Sequence, residues 1–354
     1  MQLVTEDGLR VDHPDLSPLV TDIDDRRLAD LYEDLFVIRR IDSEATALQR
    51  QGELGLWAPL LGQEASQVGS ARALAEDDFV FASYREHGVA YCRNVDPTHM
   101  LRFWRGSTHS GWNPLEYRMT TPAIIVGCQA LHATGYALGN ALDGTSAATI
   151  TYFGDGATSQ GDISEAFGFA ASFAAPVVFF CQNNQWAISE PVSLQAKVTI
   201  AERGRGFGIP SVRVDGNDVL AVLAATRAAL ANAREGNGPS LIEAVTYRMG
   251  PHTTSDDPGR YRPSALDDEW KLKDPLDRVR KLLERAGLID DEYLARVQNQ
   301  ADVTAAALRK GCLETVEPEA MSLFDHVYSQ PHPLVDEERE QYSTYLASFE
   351  GSTR

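Results

Sequence analysis

Two short runs without a charge, at 147–153 and 177–181, decide most of what this chain can become. The second, Val177-Val178-Phe179-Phe180-Cys181, has no polar side chain at all. A strand with one face in water alternates apolar and polar residues, so a run of this kind belongs to a strand covered on both faces. Residues 159–173 between the runs read as a helix that Pro176 stops. Strand, helix, strand in that order makes two parallel neighbours joined by a crossover. Further strands are expected at 80–82, 212–214 and 241–247, with an Ala-rich helix at 220–233. The expectation is an α/β fold, a parallel sheet with helices on both faces.

Around this unit the periodicity predicts helices at 25–51, 63–74 and 129–142, then 270–286 and 291–310 in a charged C-terminal region. Leu28, Leu31, Leu35, Ile38 and Ile41 repeat every three or four residues in the first of these. The organisation expected is an acidic arm over 1–25, one α/β domain over 26–262, and a mostly helical extension over 263–354 packed on the same domain. The stretch 105–122, rich in Gly, Ser, Thr and Pro, is expected to be a loop of functional length.

The turns that end the two runs carry the chemistry. Gly154-Asp155-Gly156 closes one strand and Asn183-Asn184 the other. Parallel geometry puts both at the carboxyl ends of adjacent strands, the edge where open α/β sheets bind ligands. One carboxylate and one amide oxygen form a hard, sparse donor pair, too few for calcium but suited to magnesium with water and substrate phosphate. Gly154 and Gly156 would let the backbone approach a phosphate, and the following helix would turn its N-terminus toward it.

Charge bounds the partners. With 32 Lys+Arg against 51 Asp+Glu the net charge is −19, which argues against nucleic acid. No apolar stretch is long enough for a spanning helix, so no membrane partner is expected. Four scattered cysteines without a C-x-x-C suit a reducing compartment, and the acidic N-terminal residues are unlike a targeting peptide; a cytoplasmic protein is the expectation.

The spacing of Gly154-Asp155-Gly156, 26 residues, then Asn183-Asn184 resembles the thiamin diphosphate motif. The string Tyr152 to Asp162, the string Gln182 to Ser189, Leu61-Gly62-Gln63-Glu64-Ala65, Ser83-Tyr84-Arg85 and the segment 247–262 narrow the likeness. Over about residues 30–345 the chain is similar to the alpha subunit of the decarboxylating component of 2-oxo acid dehydrogenase complexes, of pyruvate or branched-chain type. The resemblance implies the thiamin diphosphate-binding fold, thiamin diphosphate and magnesium as cofactors, and decarboxylation of a 2-oxo acid with acyl transfer to a lipoyl group. An acetoin dehydrogenase alpha subunit of the same architecture, or a non-catalytic paralogue, are the alternatives.

Carried over residue by residue, the resemblance makes Asp155 and Asn184 magnesium ligands, joined by the backbone carbonyl of Trp186. Tyr84, Arg85, Gly154, Gly156, Ala157 and Gln182 become cofactor contacts. His252 lies by the diphosphate and the reacting centre, as a cofactor contact and catalytic residue that could stabilise charge during acyl transfer. Val126 is the candidate apolar wedge beneath the cofactor, with ordinary core packing as the alternative. Trp57, Leu60 and the 105–122 loop are candidates to line the substrate pocket.

The chain also departs from the pattern. Arg105 to Trp112 replaces a Gly/Lys-rich segment of many relatives. Gln182 stands where some have Arg, and Thr253 where mitochondrial relatives have a phosphorylated Ser, so kinase control is not expected. The activating glutamate is expected on a separate beta subunit. The partners implied are therefore that subunit in an α2β2 heterotetramer, the lipoyl domain of the acyltransferase component, and the 2-oxo acid.

Overall fold

The computed structural model describes residues 1–107 and 111–349. Five strands form one parallel sheet: β1 (Phe79–Phe81), β2 (Thr149–Gly154), β3 (Val177–Asn183), β4 (Ser211–Asp215) and β5 (Ser240–Val245). Their spatial order is β1-β2-β3-β5-β4. Gly154 pairs with Gln182 and Asn183 with Val245. The ends of β2, β3 and β5 are therefore level.

The period of two sorts the side chains. Ile150, Tyr152, Val178 and Phe180 join one core with the helices Glu64–Ala71 and Val219–Arg234. Phe153, Val177, Phe179 and Cys181 join the other, with Cys128–Leu142 and Gly161–Ser172. Both faces are covered, and each buried Phe is worth about 1.5–3 kcal/mol. Ala130, Ala133 and Ala137 are small enough to bring their helix close to the sheet.

Helix Asp25–Arg50 is capped by the Asp24 carboxylate, which accepts from the Arg27 N–H at 2.9 Å. It buries the five expected apolar positions and packs against Pro275–Arg285 and Asp291–Glu314. By contrast, Pro333–Ala347 buries none of its residues.

The acidic N-terminal arm is folded back on the domain. Leu3, Val4, Leu16 and Val20 are buried in the main core. The Asp218 carboxylate accepts from the N–H groups of Leu3 and Val4 at 2.5 and 2.7 Å while capping its own helix. The Met1 carbonyl accepts from Asp215 N–H at 2.9 Å, alongside edge strand β4. At the other edge, Arg118 and Thr120 bond Val80 of β1.

The 105–122 stretch includes a four-residue helix, Pro114–Tyr117. Of the divergent segment, Thr108, His109 and Ser110 lie outside the described residues. Two short helices, His87–Cys92 and Pro97–Trp104, go beyond the expected elements. Among the described residues no helix is long and apolar enough to cross a membrane.

Candidate active site

A cavity of about 490 Å³ opens at the carboxyl ends of β1, β2, β3 and β5. Its wall includes Tyr84, Arg85, Val126, Gly154, Asp155, Gly156, Ala157, Gln182, Asn184, Trp186 and His252. The structure thus brings together every candidate residue that the sequence picked out for metal, cofactor or catalysis.

Asp155 begins a 3-10 turn, Asp155–Ser159, and the α-helix starts only at Gly161. The helix N-terminus is thus farther along the chain than expected. The Asp155 side chain is fully buried. Its Oδ2 accepts from Gln195 Nε2 at 3.3 Å, and its Oδ1 has no partner among the described residues. Burial pushes the carboxyl up to about 6, against hydrogen bonds from its own N–H, Gln195 and the Asn184 backbone. A buried oxygen with nothing to accept is costly unless a cation or donor meets it.

Asn184 stands beside it at the end of β3. Its Nδ2 donates to Gln63 Oε1 at 3.1 Å, and its Oδ1 accepts from Trp186 N–H at 3.3 Å. Gln185 between them has φ +72°, a left-handed conformation rare outside glycine. It is held by bonds to the Asn183 side chain and the Thr246 carbonyl. Among the described residues no group of three or more His, Cys, Asp or Glu is placed to hold a metal. The donor chemistry here is the sparse oxygen set of Asp155, Asn184 and the Trp186 carbonyl, which fits magnesium.

The two glycines differ in the room around them. A Cβ on Gly156 would lie 2.6 Å from the Ala187 side chain. Gly156 is therefore required by the adjoining chain at 186–191. Gly154 has ordinary room for a side chain.

Two buried guanidinium groups flank His252, Arg85 in the cavity wall and Arg248 beside it. Arg85 donates to the Pro59 carbonyl at 2.6 Å and the His252 carbonyl at 2.9 Å, and meets His252 Nδ1 at 3.2 Å. Arg248 donates to the carbonyls of Trp186 (3.1 Å) and Ile188 (2.8 Å) and to the Tyr261 hydroxyl, and meets the same Nδ1 at 3.3 Å. All these partners are neutral. Burial and the Arg85 charge bring Arg248 down to about 10.

With a guanidinium donor on each side, His252 Nδ1 can only accept. Burial and both arginines push its imidazole down to about 3. The ring is neutral with its proton on Nε2. Tyr84 meets it edge-on at 6.1 Å.

Gln182 lines the cavity with its amide already engaged. Its Oε1 accepts from Gln67 at 3.0 Å, and its Nε2 donates to Glu86 at 2.6 Å. Val126 is 41% exposed, with Ile124 and Ile125 more so, which removes the ordinary-core alternative. Trp57 and Leu60 do not reach the cavity. The Asp42 carboxylate accepts from Trp57 Nε1 at 2.8 Å and Leu60 N–H at 3.0 Å and turns that segment inward. Leu56 and Trp104 form the wall in their place, and no described residue of 105–122 does.

Residues 33–310 match the family model described as "Dehydrogenase E1 component". The chain belongs to that family. It is 44% identical over 327 residues to 3-methyl-2-oxobutanoate dehydrogenase subunit alpha of Mycobacterium tuberculosis, covering 92% of this chain and 89% of the relative. It is 40% identical over 348 residues to pyruvate dehydrogenase E1 component subunit alpha of Staphylococcus epidermidis, covering 98% and 92%, and equally to that of Staphylococcus aureus.

Sequence reasoning gave no role in this E1 chain to Gln63, Glu86, Trp104, Gln129 or Arg248. Gln63 and Arg248 sat in quoted segments. Arg248 carried one usable signal, a cation just past a buried strand. Gln129 donates to the Tyr152 carbonyl at 2.9 Å, and at the cavity its Oε1 has no partner among the described residues.

Proposed function

We propose that this chain is the alpha subunit of a decarboxylating 2-oxo acid dehydrogenase component, dependent on thiamin diphosphate and magnesium, acting on a branched-chain 2-oxo acid. The observation that carries the reading is one cavity wall holding both Asp155, whose Oδ1 has no partner among the described residues, and the buried Arg85, with buried Arg248 behind His252 and neither guanidinium paired to a carboxylate among the described residues. Asp155, Asn184 and the Trp186 carbonyl would hold the ion. Arg85 offers charge to a diphosphate, and Arg248 reinforces it from behind. Tyr84, Gly154, Gly156, Ala157 and the exposed Val126 shape the bed. Gln182, tied to Gln67 and Glu86, braces the wall. When bound, thiamin diphosphate supplies the electron sink for decarboxylation. His252 holds its proton at Nε2 and can donate a hydrogen bond to a developing negative charge.

The apolar part of the wall, Leu56, Trp104, Ile124, Val126 and Ile188, favours an aliphatic side chain over the methyl of pyruvate. Each methylene is worth about 1–3 kcal/mol in such a pocket. A beta subunit completes the site in an α2β2 assembly, a lipoyl domain takes the acyl group, and the cytoplasm is the proposed location.

The test is co-purification with a beta subunit, with magnesium and thiamin diphosphate present. 2-Oxo acid-dependent reduction of an artificial acceptor is expected from the pair and not from this chain alone. Preference for 3-methyl-2-oxobutanoate over pyruvate of at least about tenfold is expected. Full activity of the single chain would defeat the two-chain reading, and turnover of acetoin instead would move the protein to the alternative class.

A further inference from the structure

An asparagine ligates a metal only through Oδ1, yet its amide can sit either way round. Something has to decide which end of Asn184 serves the ion. Gln63 is the neighbour placed to do so. It is 0% exposed, and its Oε1 accepts from Asn184 Nδ2 at 3.1 Å. That contact takes the wrong end of the amide away, while the Trp186 N–H holds Oδ1 at 3.3 Å and leaves it a second lone pair.

Gln63 is itself fixed. Its N–H donates to the Leu60 carbonyl at 2.9 Å. The preceding Gly62 has φ +94°, and a Cβ there would lie 2.3 Å from the Tyr247 carbonyl. Thr246 Oγ1 donates to the Gly62 carbonyl at 2.7 Å, and the Glu64 carboxylate accepts from Gly62 N–H at 3.0 Å. The turn is pinned to the end of β5, which fixes the backbone from which the Gln63 side chain reaches Asn184. With Oε1 committed, its Nε2 is left buried and without a partner among the described residues, in the wall of the same cavity. A buried amide N–H with no acceptor destabilises the free site, and an anionic oxygen would remove that penalty.

We infer that Gln63 is a bifunctional positioning residue: Oε1 sets the metal-binding orientation of Asn184, and Nε2 donates to a phosphate oxygen of the cofactor. This rests on the proposed function and adds the group that couples ion to anion. Outer partners that orient metal ligands typically account for 10–100-fold in affinity.

The experiment uses the alpha–beta complex stripped of cofactor. Calorimetry measures the thiamin diphosphate affinity at saturating magnesium, and the magnesium concentration for half-maximal binding with thiamin diphosphate held at the same saturating multiple of each variant's own Kd. Gln63→Met fills the same volume without either polar atom, and should weaken both quantities about 10–100-fold with the melting temperature of the stripped complex unchanged. Gln63→Glu keeps the acceptor for Asn184 and loses the donor. It should hold the magnesium requirement within about threefold while thiamin diphosphate affinity falls at least about tenfold. Wild-type affinity in Gln63→Met overturns the inference, as does equal loss of both quantities in Gln63→Glu. If the unmutated complex binds no thiamin diphosphate with magnesium, the reading of the site itself fails, which is a separate result.

Discussion

The scaffold and the cavity treat inward-facing arginine in opposite ways. On the long N-terminal helix the half-buried Arg39 meets Glu64 and Asp274, each at 2.8 Å, and the buried Arg278 meets Asp215 at 2.6 Å. Beside the cavity, among the described residues, Arg85 and Arg248 hydrogen-bond only to carbonyls, a hydroxyl and an imidazole nitrogen. The scaffold closes its charge pairs within the chain, and the site keeps its positive charge for something that arrives. A buried ion pair loses heavily when one partner goes, because the other is stranded. A buried unpaired cation costs stability already, so removing it can leave the fold no worse.

Breaking the scaffold side should give the largest effect. Arg39→Met strands the fully buried Glu64 and should cost about 3–5 kcal/mol in chemical denaturation, with cofactor affinity of the folded fraction unchanged. A loss below about 1 kcal/mol would mean that the pair is effectively a surface one.

The acidic side of the site comes next. Asp155 is raised from 3.8 to about 6 by burial. Between those values the unfolded chain has released its proton and the folded chain retains it. Stability of the metal-free protein therefore falls as pH rises through that window and stays lower above it. Asp155→Asn removes the penalty. In chelator the variant should be more stable by about 3 kcal/mol at pH 7–8 and no different near pH 4, while magnesium-dependent cofactor binding is lost. An equal stability difference at both pH values would refute the buried-charge account.

Arg248→Met probes the site's cation. Stability should change by less than about 1 kcal/mol, and thiamin diphosphate affinity should fall about tenfold. A destabilisation as large as that of Arg39→Met would erase the contrast between the two regions.

The strand–turn–strand unit could be read from the chain because its parts are contiguous: an apolar run, a Gly-Asp-Gly turn, a helix, a second run, an Asn pair. Asp155 and Asn184 followed from topology alone. Gln63 did not, since its role depends on contact with Asn184 121 positions away. Trp57 and Leu60 were assigned to the pocket because an apolar loop residue has no sign saying which way it faces; the buried Asp42 carboxylate decides that. His252 was reached only through family likeness. Its fixed tautomer needs two arginines from different strand ends, a coincidence that no local pattern announces.

The short bonds at the two margins of the sheet bear on how the protein behaves in a concentrated solution. Strand edges left bare are templates on which another chain can pair. Here Met1 shields β4 and Arg118 with Thr120 shields β1. Removing Met1 and Gln2 alone would leave Leu3 and Val4 in the core and on Asp218 and open a lateral seam at β4. The damage should be seen first in light scattering, before any assay of turnover.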